Sequence, residues 1–221
     1  MEQYFDIIAK SPLFAGIEES ELRTMLSCLG ARKQTFPRAG AVFLEGDPAG
    51  MIGMVLEGSV QVVRDDVFGD RSVLTCAEPG ELFAETFSCA GVETMPVSAY
   101  AARDSVLLLM DCKRMLTVCA NTCGFHNRLI RNLLQVVAEN NMLLTRKIRI
   151  MSKKTTREKL MAYLMEQAKL HRSTDFTIPL DRQALADYLG VERSAMSFEL
   201  SKLRKAGVLE TKGSAFRLLQ N

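Results

Sequence analysis

The stretch LADYLGVERSAMSFELSKL, residues 185–203, constrains the fold more than any other part of the chain. Its apolar residues form two helical stripes that are interrupted at residues 189–191, where glycine suits a tight turn with positive φ. The second stripe, Met196, Leu200 and Leu203, has i, i+4, i+7 spacing and is predicted to pack inward. Two short helices joined by such a turn are typical of a helix-turn-helix, although an ordinary pair of antiparallel helices has the same pattern.

The opposite face of the second helix is polar and basic. It carries Arg193, Ser194, Ser197, Ser201 and Lys202. From residue 146 to the end the chain holds 16 Lys and Arg against 8 Asp and Glu, whereas the preceding residues have a net charge of −6. A basic surface alone can be a solvated surface, but its coincidence with the helix-turn-helix pattern favours a polyanionic partner.

Residues 31–111 are predicted to form short strands, because their apolar residues are mostly β-branched or aliphatic. The predicted strands are AVFLE, MIGMVLE, SVQVV, SVLTCA, VSAYAA and SVLLLMD. Glycines at positions 46, 58, 69, 80 and 91 recur every 11 or 12 residues, which is the turn spacing of an all-β sandwich or barrel. A short helix with Leu22, Met25, Leu26 and Leu29 on one face precedes them.

A long helix is predicted from about Thr122 to Met151. Its residues at alternating steps of four and three form an a/d heptad seam, namely Ile130, Leu134, Val137, Asn141, Leu144, Ile148 and Met151. Asn141 at an a position favours two-stranded pairing. Leu129, Leu133, Val136 and Leu143 widen the apolar face. We therefore expect one side to pack on the β-domain and the seam to pack on a second copy of the chain, as a homodimer.

The remaining segments predict a winged module. Residues 151–159 mark a boundary, with Thr155 or Thr156 as helix N-cap, and a hairpin turn at residues 212–214 joins VLET to AFRLL. The fold class is α+β. Its parts are a β-roll (1–115), a long dimerisation helix (116–151) and a winged helix-turn-helix (152–221).

The sequence gives little indication of a secreted or membrane protein, a metal or redox site, or an enzyme. Neither a signal-peptide pattern nor a membrane-length apolar run is present, so we expect a cytoplasmic protein without a membrane partner. The six cysteines include no C-x-x-C pair, and Cys119 and Cys123 with nearby His126 are a weak metal or redox candidate. We predict no metal site and no enzyme, because no nucleophile–base set or phosphate loop is found.

Nearly end to end, the chain resembles the Crp/Fnr family, the cyclic-AMP receptor protein and its relatives. The segments that carry the resemblance are SPLFAGIEESELRTML, FLEGDPAGMIGMVLEGSVQVV, PGELFAE and TTREKLMAYL with LADYLGVERSAMSFELSKLRKAGVLE. The resemblance implies a dimeric transcription regulator. The resemblance also implies that the N-terminal β-roll, a double-stranded β-helix or jelly roll of the cyclic-nucleotide-binding type, senses a signal. The long helices are then expected to relay that signal to the domains that bind double-stranded DNA.

The effector site departs from the cyclic-AMP-binding members of that family. Their ribose-binding Glu aligns with Glu85, but their phosphate-binding Arg-Ser pair aligns with Val97 and Ser98, and their adenine-binding hydroxyls with Met142 and Leu143. A phosphate without its guanidinium is costly to bury. We therefore expect an unidentified small organic effector, and no certain cofactor. The candidate pocket residues are Phe83, Glu85, Met95, Val97, Ser98, Tyr100, Met142 and Leu143. The six apolar or aromatic residues among them also suit plain core filling, and Glu85 also suits a structural turn or strand end.

The recognition helix departs as well, since the family's Arg, Glu and later Arg fall on Arg193, Ser194 and Phe198. Arg193 keeps a bidentate donor for guanine, but Ser194 discriminates weakly between bases and Phe198 cannot form a hydrogen bond. The preferred operator should therefore differ from the family's best-known one. RNA polymerase is an expected partner if the protein is an activator. A redox regulator using Cys119 and Cys123, a cyclic-nucleotide regulator with an altered phosphate pocket, and a protein-binding scaffold remain as alternatives. Cys28 is the only cysteine before residue 76, which leaves an iron–sulfur cluster unsupported.

Overall fold

The computed structural model describes residues 2–66, 71–117 and 124–219. Its contacts divide the chain into two units, Met1–Glu139 and Asn140–Asn221. The helices are α1 (Phe5–Lys10), α2 (Glu19–Cys28), α3 (Glu85–Ala90), α4 (Cys112–Leu116), α5 (Gly124–Met151), α6 (Thr156–His171), α7 (Arg182–Leu189) and α8 (Arg193–Lys205).

The strands are β1 (Arg32–Phe36), β2 (Ala41–Phe43), β3 (Met51–Glu57), β4 (Val60–Asp65), β5 (Arg71–Ala77), β6 (Leu82–Phe83), β7 (Ser98–Ala101), β8 (Ser105–Asp111), β9 (Asp175–Thr177), β10 (Leu209–Lys212) and β11 (Ala215–Leu218). In the first unit they form two antiparallel sheets, with strand orders β1-β8-β3-β6 and β2-β7-β4-β5. This is the double-sheet arrangement of a jelly roll, so the predicted β-roll is confirmed.

Strand β3 is buried on both faces because it lies between two apolar clusters. Ile52, Met54 and Leu56 pack in a cluster with α1, α2 and the first part of α5, whereas Val55 faces the interior of the roll. This division follows from the alternation of side chains along a strand. Gly53 lies on the interior face, where an added Cβ would overlap the ring of Phe83.

The long helix α5 contributes to both units. Leu129 and Leu133 are buried in the first unit and Val137 packs against the same cluster, while Ile150 is buried in the second unit. The helix predicted from about Thr122 to Met151 is thus observed as Gly124–Met151. None of the helices in the described ranges combines the length and apolarity that a membrane span needs.

The second unit packs α6, α7 and α8 with a three-stranded sheet of order β10-β11-β9. A capping box starts α6. Thr155 Oγ1 accepts a hydrogen bond from the Glu158 backbone N–H (3.2 Å), and the Glu158 carboxylate accepts one from the Thr155 N–H (3.1 Å). The wing is the antiparallel pair β10–β11, turning at Gly213 with φ +58°. The winged helix-turn-helix is therefore confirmed, while the predicted three-part division at residues 115 and 151 stays a prediction.

Candidate nucleic-acid interface

The turn between α7 and α8 has the geometry that the sequence predicts. Asp181 caps α7 by accepting a hydrogen bond from the Ala184 N–H at 2.8 Å. Gly190 then adopts φ +58°, and the Val191 N–H returns to the Ala186 carbonyl at 3.1 Å. A left-handed residue that ends a helix in this way redirects the chain within a few residues. The turn therefore sets where α8 starts.

The apolar stripe of α8 fixes which face of the helix is left outside. Met196, Leu200 and Leu203 are buried in the second unit's core, together with residues of α6, α7 and the wing. Because these three positions lie on one side of the helix, the residues between them point away from the core. The inward packing predicted for this stripe is confirmed.

Every α8 residue predicted to meet DNA is exposed, namely Arg193, Ser194, Ser197, Phe198, Ser201 and Lys202. The Phe198 side chain is 61% exposed, so it does not pack sideways into the domain. Lys202 Nζ lies 4.4 Å from the centroid of that ring and 3.2 Å from Glu199 Oε1. The Ser201 hydroxyl donates to the Ser197 carbonyl at 3.1 Å. Phe198 and Lys202 thus form one amphipathic patch.

Arg193 occupies the first position of α8, and Ser194 the second. Recognition helices contact base edges with their N-terminal residues. A guanidinium there suits the O6 and N7 acceptors of guanine. At the other end of the helix, Lys202, Arg204 and Lys205 provide positive charge in the last turn. Such residues suit phosphate contacts, which position a protein on DNA without specifying sequence.

Arg182 holds the wing to α7, a role that sequence reasoning missed. Its Nη2 donates to Thr211 Oγ1 at 2.7 Å, and its guanidinium carbon lies 4.9 Å from the Phe216 ring centroid. Nη1 is buried and has no hydrogen-bond partner among the described residues. Burial lowers the pKa of this guanidinium, and the nearby charge of Arg204 lowers it further. The contact could not be predicted from the sequence, because no local pattern links an arginine at the start of a helix to a strand residue 29 positions away.

The predicted effector positions on the β-domain lie mostly inside the roll. Phe83, Met95 and Val97 belong to its apolar cluster, and Phe83 packs against Phe43 with ring centroids 5.9 Å apart. Ser98 is buried, and its hydroxyl accepts a hydrogen bond from the Glu45 N–H at 3.0 Å. In this structure the three apolar residues are therefore part of the core, and the Ser98 hydroxyl is used in a hydrogen bond with the Glu45 backbone.

Besides Ser98, the predicted effector positions Glu85 and Tyr100 on the β-domain carry polar groups. Glu85 begins α3 and is buried, with the Thr86 hydroxyl 3.4 Å from its carboxylate. Tyr100 on β7 lies under the guanidinium of Arg71, whose carbon is 4.6 Å from the ring centroid. Arg71 forms two hydrogen bonds to Asp65, at 2.8 and 2.9 Å. A cation therefore reaches this region from β5, although none lies between Glu85 and Arg103 in the sequence.

The α5 residues assigned to the effector site and to the dimer differ in exposure. Met142 and Leu143 belong to the second unit and are exposed. Along the predicted seam Ile130 and Val137 are half-buried and Asn141 is exposed, accepting a hydrogen bond from Thr145. The other four seam residues are exposed: Leu134 (69%), Ile148 (68%), Leu144 (62%) and Met151 (42%).

The predicted redox pair Cys119 and Cys123 lies outside the described residues. Its neighbour His126 is buried, with Nε2 2.9 Å from the Met115 carbonyl oxygen. Within the described ranges no group of three or more His, Cys, Asp or Glu side chains is arranged to hold a metal ion.

Comparison with known proteins agrees with this architecture. A family model described as a cyclic nucleotide-binding domain matches residues 33–122, and one described as a Crp-like helix-turn-helix domain matches residues 158–220. The transcriptional activator protein anr of Pseudomonas aeruginosa is 20% identical over 185 residues, covering 81% of this chain and 73% of that protein. The CRP-like cAMP-activated global transcriptional regulator of Mycobacterium tuberculosis is 30% identical over 80 residues, 36% of this chain and 35% of that one.

Among solved structures, the c-di-GMP-responsive global regulator CLP of Xanthomonas campestris has the same fold. It superposes with a TM-score of 0.58 at 20% identity, covering 92% of this chain and all of that one. The two family models follow one another along the chain in the order of its two units and together match more than half of it. The chain belongs to the Crp/Fnr family and is a DNA-binding transcription regulator of that type.

Proposed function

We propose that the chain is a homodimeric transcription regulator that binds pseudo-palindromic DNA and responds to a small organic effector. The observation that carries the DNA part is the orientation of α8, with its apolar stripe buried and all six predicted contact residues exposed. Two such helices in successive major grooves read half-sites roughly 34 Å apart. This function places the protein in the cytoplasm, with RNA polymerase as a further partner if it activates.

Binding-site selection with the full chain and a random duplex library tests the DNA part. We expect an enriched inverted repeat with half-site centres about ten base pairs apart. Affinity for that site should fall log-linearly with salt, with a slope of about −0.9 per phosphate neutralised. A protein-binding scaffold predicts no enriched sequence. Failure of any repeat to emerge at low salt contradicts the proposal.

The homodimer is supported by the exposed aliphatic residues of the α5 seam. Leu144 and Ile148 stand one helical turn apart, and such exposed apolar faces mark association surfaces. We expect Leu144→Glu with Ile148→Glu to yield a monomer in sedimentation equilibrium. Leu170→Glu on α6 is the matched control, because Leu170 is 56% exposed and lies off the seam. An unchanged dimer in the double variant contradicts this interface.

The effector proposal rests on Val97, which stands where the cyclic-AMP-binding members place their phosphate-binding arginine. The relatives do not decide the question, because their names specify different effectors, cAMP and c-di-GMP. A thermal-shift titration against cyclic AMP, cyclic GMP, c-di-GMP and small organic acids separates the possibilities. A ligand at 100 times its Kd adds about 2.7 kcal/mol to the free energy of unfolding. Stabilisation by a cyclic nucleotide alone overturns the organic-effector proposal.

A further inference from the structure

Two thiols of the first unit lie in contact although they are far apart in the sequence. Cys89 is on α3 and Cys112 is the first residue of α4, and their Sγ atoms are 3.8 Å apart across a separation of 23 residues. Neither belongs to the cysteine pair that the sequence singles out. We propose that Cys89 and Cys112 form an oxidisable pair that a peroxide converts to an intramolecular disulfide.

Both helices are anchored to the same two-residue segment, which holds the thiols opposite one another. The Ser88 hydroxyl, next to Cys89, donates to the Met51 carbonyl at 2.8 Å. The Cys112 backbone N–H donates to the Gly50 carbonyl, also at 2.8 Å. The two sulfurs must approach by about 1.8 Å to reach the S–S bond length of a disulfide. The backbone anchors leave only the side chains and the ends of these short helices to adjust.

The environments of the two thiols assign them different roles. Cys89 is half-buried, whereas Cys112 is only 2% exposed. The hydrogen bond between them lowers the pKa of the Cys89 thiol, against opposing contributions from burial and from the charge of Glu85. The same hydrogen bond, together with burial, raises the pKa of the Cys112 thiol. Since reactivity follows thiolate character and access, Cys89 reacts first and Cys112 resolves the product.

The chemistry balances with one peroxide. The Cys89 thiolate attacks an oxygen of hydrogen peroxide, so that an S–O bond forms, the O–O bond breaks, and hydroxide leaves to become water by taking up a proton. Cys89 is then a sulfenic acid. The Cys112 sulfur gives up its proton and attacks the Cys89 sulfur, forming the S–S bond as the S–O bond breaks and a second water leaves. Two electrons pass from the thiols to the peroxide.

Mass spectrometry of the full chain tests the pair. The reduced protein is treated with stoichiometric hydrogen peroxide, blocked with iodoacetamide and digested without reductant. We expect a peptide that links Cys89 to Cys112, about 2 Da lighter than its two reduced parts. Exposed Cys28 and Cys76 should be recovered alkylated. Cys119→Ser with Cys123→Ser should keep the link. Separate alkylation of Cys89 and Cys112 after oxidation overturns the proposal.

Single variants test the order of the two steps. In Cys112→Ala, which keeps an apolar residue at this buried position, the Cys89 sulfenic acid has no resolving thiol and should accumulate as a dimedone adduct. In Cys89→Ser, the adduct at position 112 should fall at least tenfold below that level. Equal trapping at the two positions contradicts the assigned roles. Neither experiment measures DNA binding, so the pair stands or fails independently of the proposed function.

Discussion

The two units present the residues that the family resemblance singles out in opposite ways. On α8 the predicted contact residues are exposed around Phe198, and the helix needs only its opposite stripe for packing. In the β-roll, Phe83, Met95 and Val97 are buried and also form the core. A surface that meets DNA must be exposed before the partner arrives, whereas an interior site shares its residues with the fold. Exposure therefore points to function on α8 but not in the roll.

The largest expected effect tests whether Phe83 is a fixed part of the core. An alanine at Gly53 places its Cβ into the Phe83 ring, and overpacking a dense core costs typically 1–3 kcal/mol. We expect Gly53→Ala to lower the free energy of unfolding of the β-domain by about 3 kcal/mol, the upper end of that range. Hydrogen exchange across a urea titration measures this, because it reports the two units separately.

Gly50→Ala is the matched control, since an added Cβ there meets no atom within 4 Å among the described residues. We expect its effect to stay within about 0.5 kcal/mol. Phe83→Leu combined with Gly53→Ala should recover part of the loss by making room for the methyl group. A negligible loss of stability in Gly53→Ala would show that the Phe83 ring moves freely, as the wall of an adaptable pocket does. Phe83 would then not be a fixed core residue, and the β-roll would differ less from α8.

The next largest effect is expected for substitutions on the exposed face of α8. Arg193→Ala removes a bidentate donor at the start of α8 and should weaken specific binding to the selected duplex by about 1–3 kcal/mol, with relaxed preference at one base pair. Lys205→Ala, at the other end of the helix, should weaken binding equally for all sequences and reduce the salt slope by about 1. Fluorescence anisotropy with matched and single-substituted duplexes separates the two patterns. Equal affinity of Arg193→Ala and wild type for the selected site rules out the proposed role of Arg193.

What the sequence predicts well is what a local pattern encodes. The α7–α8 turn follows from Gly190 and from the stripe Met196, Leu200 and Leu203, and the long helix from its heptads. Strand β1 is not among the six strand segments that the sequence predicts within residues 31–111, because four of its five residues are exposed and give no apolar alternation.

Helix α3 was missed for a different reason. It has only six residues and follows Ala84 at φ +65°, a conformation that alanine does not signal. The contacts of Arg182 with the wing and of Arg71 with Tyr100 join residues 29 or more positions apart, and no local period records them. The exposed face of α8 could thus be predicted from the sequence, whereas the surroundings of the candidate effector positions could not.

A smaller effect asks whether Ser98 serves the fold or an effector. Ser98→Ala leaves the Glu45 N–H without the acceptor it has at 3.0 Å, so we expect the β-domain to lose about 1 kcal/mol of unfolding free energy without any ligand present. Ser194→Ala on α8 is the matched control, because Ser194 is exposed, and it should change stability by less than about 0.5 kcal/mol. Unfolding curves of both variants show whether the Ser98 hydroxyl contributes to stability. If Ser98→Ala leaves the free energy of unfolding unchanged, the fold does not need the Ser98 hydroxyl, and in the wild-type protein that hydroxyl is available to a ligand.

The smallest effect concerns the cation that the structure brings to Tyr100. The hydrogen bonds from Arg71 hold the pKa of the Asp65 carboxyl below its usual value near 3.9. The folded state therefore favours the ionised carboxyl. The resulting stabilisation is present above the unfolded-state pKa and is lost as the pH falls through the lower folded-state value. Because both side chains are exposed, its contribution to stability is slight.

The pKa of Asp65 nevertheless shows whether Arg71 is available to a ligand. In a carboxyl-carbon NMR titration we expect Arg71→Gln to raise the Asp65 pKa toward its usual value, while Arg103→Gln, which removes the guanidinium paired with Glu78, should leave it unchanged. An anionic effector that takes Arg71 from Asp65 would raise the same pKa in the wild-type protein, whereas an uncharged effector would not. If Arg71→Gln leaves the pKa of Asp65 unchanged, the ion pair between Arg71 and Asp65 does not persist in solution. Arg71 would then already be free to act on an anion beside Tyr100, and the β-roll, like α8, would carry an accessible cation at its candidate site.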